Sequence, residues 1–355
     1  MTKIIPFYDP TKTYYQNCTD GPFGGFADSK KYQNKNNTKY KFFDYNVNIP
    51  FGIPAGPLPN AKFIKAAFEK GFDIPIYKTV RTKTHPCNKF PNVIPVKIQG
   101  DLTLEKAAAG VIMDDDFKDP IATTNSFGVP SLDPEYWQPD MKKSVESAGD
   151  GQIMVASFQG TNRGKGVEAF VEDCVLGAQL CMETGAKVLE MNLSCPNEGK
   201  KTLLCHDTNL VEKISDKVKN KIGNIPLILK LAYFTDQSIL VDFISRLAKI
   251  VDGFAAINTI AAEVRKPNGE QALPGEGRLV SGICGYPIRW AGVEMATRLK
   301  KIRESISEDF IIIGVGGVTN FSEFNQYITV GADIVMSATG AMWNPDLAKK
   351  INENI

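Results

Sequence analysis

Short apolar, β-branched runs recur along this chain, most of them separated from the next by a longer stretch with helical spacing. The runs are FGIPAG (51–56), IPIYKTV (74–80), IMVASFQG (153–160), VLEMNLSC (188–195), PLILKLA (226–232), GFAAINTI (253–260), FIIIGVGG (310–317) and DIVMSATG (333–340). Unbroken apolar runs of this length fit strands buried on both faces. Apolar residues recur every three or four positions at 60–71, 166–185, 208–223, 238–251, 291–305 and 321–331, the pattern of amphipathic helices. Gly71 is a good stop for the first of them. Strands alternating with helices predict parallel βαβ units. Eight such units predict a closed (β/α)8 TIM barrel rather than an open sheet.

Two segments break the alternation. Residues 1–45 are polar and rich in Lys, Asn, Tyr and Gly, and predict a mostly irregular N-terminal arm. The interval 81–152, between the second and third runs, is too long for a plain loop. It predicts an insertion over the barrel top, containing KIQGDL, VIMDDDF and TTNSFGVPSLDPEYW. The expected layout is an arm (1–45), a barrel (46–345) and a tail (346–355).

Composition narrows the chemistry. The chain has 355 residues, 43% hydrophobic and 23% charged, with a formal net charge of +1. No global field recruits nucleic acid or an anionic membrane. The seven cysteines (Cys18, Cys87, Cys174, Cys181, Cys195, Cys205 and Cys284) contain no CxxC pair. That argues against zinc ribbons, cysteine-ligated clusters and a disulfide scaffold, so no metal is expected and a reducing, cytoplasmic setting fits. No apolar run is long enough for a signal sequence or a membrane span. With only His85 and His206 present, proton abstraction falls to another side chain.

In such barrels the active site lies at the C-terminal ends of the strands. Run one ends in Ala55-Gly56, either a turn or a close backbone approach to a flat or anionic ligand. Lys78-Thr79 closes run two, and Lys230 stands among apolar neighbours in run five. A lysine there meets an anion or snorkels out of the rim. The insertion carries Asn125, Phe127, Gly128 and Val129 in NSFGVP, either a surface turn or a set of donors over the site. Run four delivers Asn192, Ser194, Cys195, Pro196 and Asn197, and run six ends in Asn258-Thr259. Two lysines and several amides, with no carboxylate among these ends, favour an anionic, amide-bearing ring. Runs seven and eight end in GVGG (Gly314, Gly316, Gly317) and SATG (Ser337, Ala338, Thr339, Gly340), where barrels often bind phosphate through backbone N–H groups. A phosphate site, a lysine-lined mouth and a cysteine loop fit flavin mononucleotide plus a small substrate. Cys195 is the candidate base, given a lowered pKa or a well-placed acceptor; the other reading of a strand cysteine is a small hydrophobe.

NLSCPN after strand four resembles the class 1, soluble dihydroorotate dehydrogenases, as do Lys78-Thr79, the NSFGVP turn, Lys230, Asn258-Thr259 and the two glycine-rich loops. CPNEGKKTLLCHD is similar to the cysteine loop of the fumarate-using subclass. The resemblance spans about residues 50–345. It implies an FMN-binding barrel that oxidises dihydroorotate to orotate in pyrimidine biosynthesis, with Cys195 taking the C5 proton and hydride passing from C6 to the flavin. Lys78, Asn125, Phe127, Gly128, Val129, Asn192, Asn197, Asn258 and Thr259 would meet substrate. Ala55, Gly56, Lys78, Thr79, Asn125, Asn192, Lys230, Asn258, Gly285, Gly316, Gly317, Ala338 and Thr339 would hold FMN. A homodimer is the family default, and the acceptor is open among fumarate, which is favoured, oxygen, a quinone and a partner subunit. VRKPNGEQALPGEGRLVSGICGYPIRW and SATGAMWNPDLA are more similar to the flavin domain of dihydropyrimidine dehydrogenase, which keeps another dihydropyrimidine open as substrate. Phe127 and Val129 replace the more usual Met and Leu. A dihydrouridine synthase would carry a basic RNA surface and a helical C-terminal domain. The remaining alternative is a non-catalytic flavin- or metabolite-binding barrel.

Overall fold

The structure is a computed structural model that describes residues 5–32, 39–194 and 203–355. Among these residues, eight parallel strands close into a barrel in sequence order. They are β1 (Phe51–Ile53), β2 (Ile74–Val80), β3 (Val155–Phe158), β4 (Leu189–Asn192), β5 (Leu227–Leu231), β6 (Gly253–Ala256), β7 (Ile311–Val315) and β8 (Ile334–Met336). Each falls within one of the eight apolar runs. All seven residues of β2 are buried, because a strand walled by helices outside and packed side chains inside has no solvent face.

The helices that follow these strands are α1 (Ala61–Glu69), α2 (Pro134–Glu146), α3 (Val167–Glu183), α4 (Thr208–Ile222), α5 (Gln237–Leu247), α6 (Arg289–Ser305), α7 (Phe321–Thr329) and α8 (Leu347–Asn352). Local chemistry sets their starts. Asn60, Asp207 and Asp236 each accept a backbone N–H in the first turn of α1, α4 and α5. Asn320 and Glu323 form a reciprocal capping box on α7. Pro134 opens α2, where its missing N–H costs nothing.

A hairpin of Tyr40–Phe42 and Tyr45–Val47 plugs the barrel at the strand starts. Its Phe42 and Val47 pack with Ile74, Val155, Val188, Ile228 and Ile334. At this end Asp73 is buried, accepting from the Ile49 N–H at 2.8 Å and from Gln152 Nε2 at 3.2 Å. Burial outweighs these bonds and pushes its carboxyl up to about 7. The folded chain therefore binds a proton that the unfolded chain, with a carboxyl near ~4, releases. Stability from this group is complete below pH ~4 and lost as pH rises to about 7. Asp73→Asn should flatten that fall by up to about 4 kcal/mol, read from denaturant midpoints across the same pH window.

The top carries a cap that the pattern only half discloses. Between β2 and α2 lie strands Val93–Lys97, Val111–Met113 and Ala122–Asn125 and the helix Leu104–Ala109. Between β6 and α6 lie two more strands, Ile260–Arg265 and Val280–Gly285. The five strands close into a second small barrel. Its register sets Asn125 against Gly282 and Thr124 against Ile283. The sequence pattern locates the first insertion; the second is a further finding, hidden because its strands are half-exposed and bracket a Gly- and Pro-rich stretch.

Candidate active site

Barrel and cap enclose a cavity of about 580 Å³ at the C-terminal ends of the strands. Every described residue expected to meet substrate or flavin lines it, while Gly314 lies within β7. Ala55 and Gly56 follow β1, while Lys78 and Thr79 stand in β2. Asn192 ends β4, Lys230 lies in β5, and Asn258 and Thr259 follow β6. Gly316 and Gly317 follow β7, Ala338 and Thr339 follow β8, and Gly285 ends a cap strand. Asn125, Phe127, Gly128 and Val129 form the roof. Cys195 and Asn197 lie outside the described residues; Ser194, just before them, lines the cavity.

A polar chain runs along one wall. Asn192 Nδ2 donates to Gln159 Oε1 at 2.9 Å, and Ser194 Oγ donates to Asn192 Oδ1 at 2.7 Å. Asn258 Nδ2 donates in turn to Ser194 Oγ. These bonds fix the amide orientations, so the wall presents set donors and acceptors rather than rotating ones. Gln159 was missed from sequence, although it directly follows β3 and stands one residue before the end of run three.

Two arginines hold the roof. Arg81 is buried and donates through Nε to Val129 O at 3.0 Å, through Nη2 to Gly128 O at 3.3 Å and through Nη1 to Thr161 Oγ1 at 2.8 Å. Arg278 comes from the second insertion and donates to Ser126 O at 2.8 Å and Ser126 Oγ at 3.1 Å. The roof needs this support because Val129 has φ +52°, a conformation a β-branched residue adopts only under strain.

The arm reaches the site as well. Tyr8 lines the cavity and packs edge-on against Phe127, with centroids 5.8 Å apart at 87°. Tyr14 packs on the same Phe127 ring at 6.1 Å and 67°. The Tyr8 hydroxyl is buried without a hydrogen-bond partner among the described residues. The ring packing on Phe127 is the support it gives the roof. Tyr8→Ala should weaken ligand binding under the roof by about tenfold, whereas Tyr8→Phe should bind like the parent, both measured by ligand titration.

Two glycines shape the opposite wall. A Cβ on Gly56 (φ +150°) would stand in open space with nothing within 4 Å, so bare backbone faces the cavity. A Cβ on Gly340 would meet Val318 O at 2.0 Å, so only glycine lets the loops after β7 and β8 close on each other. A flat ring over Gly56 and an anion at the glycine loops suit this shape.

The family description "Dihydroorotate dehydrogenase" matches residues 115–355. A Dictyostelium discoideum dihydroorotate dehydrogenase is 34% identical over 98% of this chain and 97% of its own length. The chain belongs to the dihydroorotate dehydrogenase family. More distant family members include a putative dihydroorotate dehydrogenase A (fumarate) from Aquifex aeolicus, 29% identical over 54% of this chain and 60% of its own. A dihydroorotate dehydrogenase (quinone) from Aliivibrio salmonicida is 27% identical over 86% and 83%. A crystal structure of DHODH from Eimeria tenella with ferulenol superposes at a TM-score of 0.68, covering 89% of this chain and 82% of that one at 17% identity. It shares the fold. Among the described residues of this dihydroorotate dehydrogenase family member, no helix is long and apolar enough to cross a membrane.

Proposed function

We propose that this chain binds FMN and oxidises dihydroorotate to orotate, the reaction its family is named for. The observation that carries the reading is one cavity lined by two lysines, the amides of Asn125, Asn192 and Asn258, and two glycine-rich loops. The loops after β7 and β8 offer backbone N–H groups to the phosphate. Gly56 gives the flat ring its bare approach, and Lys230 and Thr79 meet it from the strands. FMN, when bound, supplies the acceptor for the hydride that leaves C6 of the ring.

The chain's own residues do the rest. Lys78 binds the substrate carboxylate, and Asn125, Asn192 and Asn258 match the ring's amide donors and acceptors, a role the family resemblance extends to Asn197. The roof turn, pinned by Arg81 and Arg278, covers the ring and excludes water. Cys195 takes the C5 proton onto Sγ, a role that needs a thiolate or a well-placed acceptor beside the thiol. Fumarate is the acceptor this reading favours, in a cytoplasmic homodimer.

The test is anaerobic reduction of the purified protein. It should be yellow, orotate should perturb its flavin spectrum, and dihydroorotate should bleach it. Colourless protein that takes up no FMN removes the cofactor. Bleaching by dihydrouracil alone would replace the substrate with a neutral dihydropyrimidine and leave Lys78 without its anion.

A further inference from the structure

The strand ends bring no carboxylate to the cavity, yet one lies directly beneath it. Glu190 sits in β4, two residues before Asn192, and is fully buried. Side chains two apart in a strand share a face, so Glu190 points into the barrel on the same side as Asn192. It does not itself line the cavity. On the neighbouring strand the register pairs Asn192 with Lys230 and Glu190 with Ile228. Glu190 and Lys230 are thus diagonal neighbours on one interior face.

On its other side Glu190 pairs with Ser157 of β3, whose Oγ donates to Glu190 Oε1 at 3.0 Å. Ser157 Oγ is also 2.9 Å from Thr79 Oγ1, and Thr79 lines the cavity. Glu190 Oε2 is buried with no hydrogen-bond partner among the described residues. Burial pushes the Glu190 carboxyl up and the Lys230 amine down, and each charge opposes the other's loss. An unbonded carboxylate oxygen at this depth is costly unless a cation answers it, and Lys230 is the charge that does so.

The proton count gives the chain of hydroxyls a direction. A carboxylate only accepts, so the one Ser157 hydroxyl proton goes to Glu190. Ser157 then accepts from Thr79, whose own proton is used inward. Thr79 Oγ1 is left with only lone pairs for the cavity.

We infer that Glu190 is a positioning residue of the flavin site, fixing Thr79 as a hydrogen-bond acceptor at the cavity wall and setting an anion against Lys230. This rests on the FMN reading above. It acts through Ser157 and Lys230, not by touching the ligand.

The experiment uses the full chain loaded with FMN and reads two quantities, FMN affinity by fluorescence titration and the flavin midpoint potential. Glu190→Gln removes the anion and should move the potential to more positive values, since electrons then enter a less negative site. Glu190→Asp keeps the charge and should restore most of that shift. Ser157→Ala cuts the hydroxyl chain but leaves the charge, and should weaken FMN by about tenfold with the potential unchanged. A merely structural role would lower thermal stability without separating the two readouts in this way. Parent-like potential and affinity in both Glu190→Gln and Ser157→Ala overturn the inference while the FMN reading stands. A parent chain that takes up no FMN overturns both. Should Glu190→Gln fail to fold, the Ser157→Ala affinity decides.

Discussion

Cys195→Ser is expected to slow flavin reduction by dihydroorotate by roughly 10²–10⁴-fold near neutral pH, the usual contribution of a general base. FMN retention and orotate titration should remain those of the parent, because serine keeps the shape of the side chain. The difference lies in acidity. A serine hydroxyl ionises far less readily than a thiol, so the variant must deprotonate the ring with a poorer base, and its rate should climb as pH is raised. Anaerobic stopped-flow reduction at several pH values measures this. An unchanged rate at pH 7 would take the base role away from Cys195 and pass it to another group at the end of β4. The polar chain through Asn192, Ser194 and Asn258 leads directly into that segment.

Arg81→Ala carries the second large effect. The guanidinium holds two carbonyls of the roof and the hydroxyl of Thr161 from a site only 4% exposed. Hydrogen bonds from a charged donor contribute about 1.5–3 kcal/mol each, and buried acceptors left without a donor add a desolvation cost. The fold should lose about 3–5 kcal/mol in denaturant titrations. Orotate should bind at least tenfold more weakly, because Val129 would relax from its positive φ and carry the roof with it. Arg81→Lys should recover little, since one ammonium cannot reach Gly128, Val129 and Thr161 together. A variant with parent stability and affinity would show that the turn holds itself.

The barrel was readable because its strands are buried on both faces, so each announces itself as a continuous apolar run. IPIYKTV and FIIIGVGG needed no partner information to be recognised. The cap was harder. Val280–Gly285 alternates between buried and half-exposed positions and contains two glycines, so it reads locally as a loop. Only pairing with a distant strand makes it a sheet. The site followed the same rule. Lys78, Lys230, Asn192 and Asn258 stood out as polar residues at or inside apolar runs, an arrangement that costs energy without a partner. Glu190 breaks its run in the same way, but it sits mid-strand, and attention to strand ends passed over it. Arg81 stands out only as a cation following Lys78-Thr79, and Tyr8 and Arg278 gave no local signal. They come from an irregular arm and from insertions, and a residue's approach to a cavity through a distant segment leaves no periodicity. Cys195 and Asn197 were legible by motif and lie beyond the described residues.

The cap's closure has a consequence for the order of folding. Thr124 and Ser281 bond at 2.7 Å across 157 residues of chain. Contacts this distant in sequence close slowly, because loop entropy must be lost before any pairing rewards it. During synthesis β1 to β5 emerge before the strand that completes the small barrel exists. Until then the turn bearing Asn125 and Phe127 has Val93–Lys97 beside its strand but lacks the second ladder partner, Val280–Gly285, and Arg278. The ligand roof is therefore among the last parts of the protein to become itself, and substrate affinity should appear later in refolding than helical signal does.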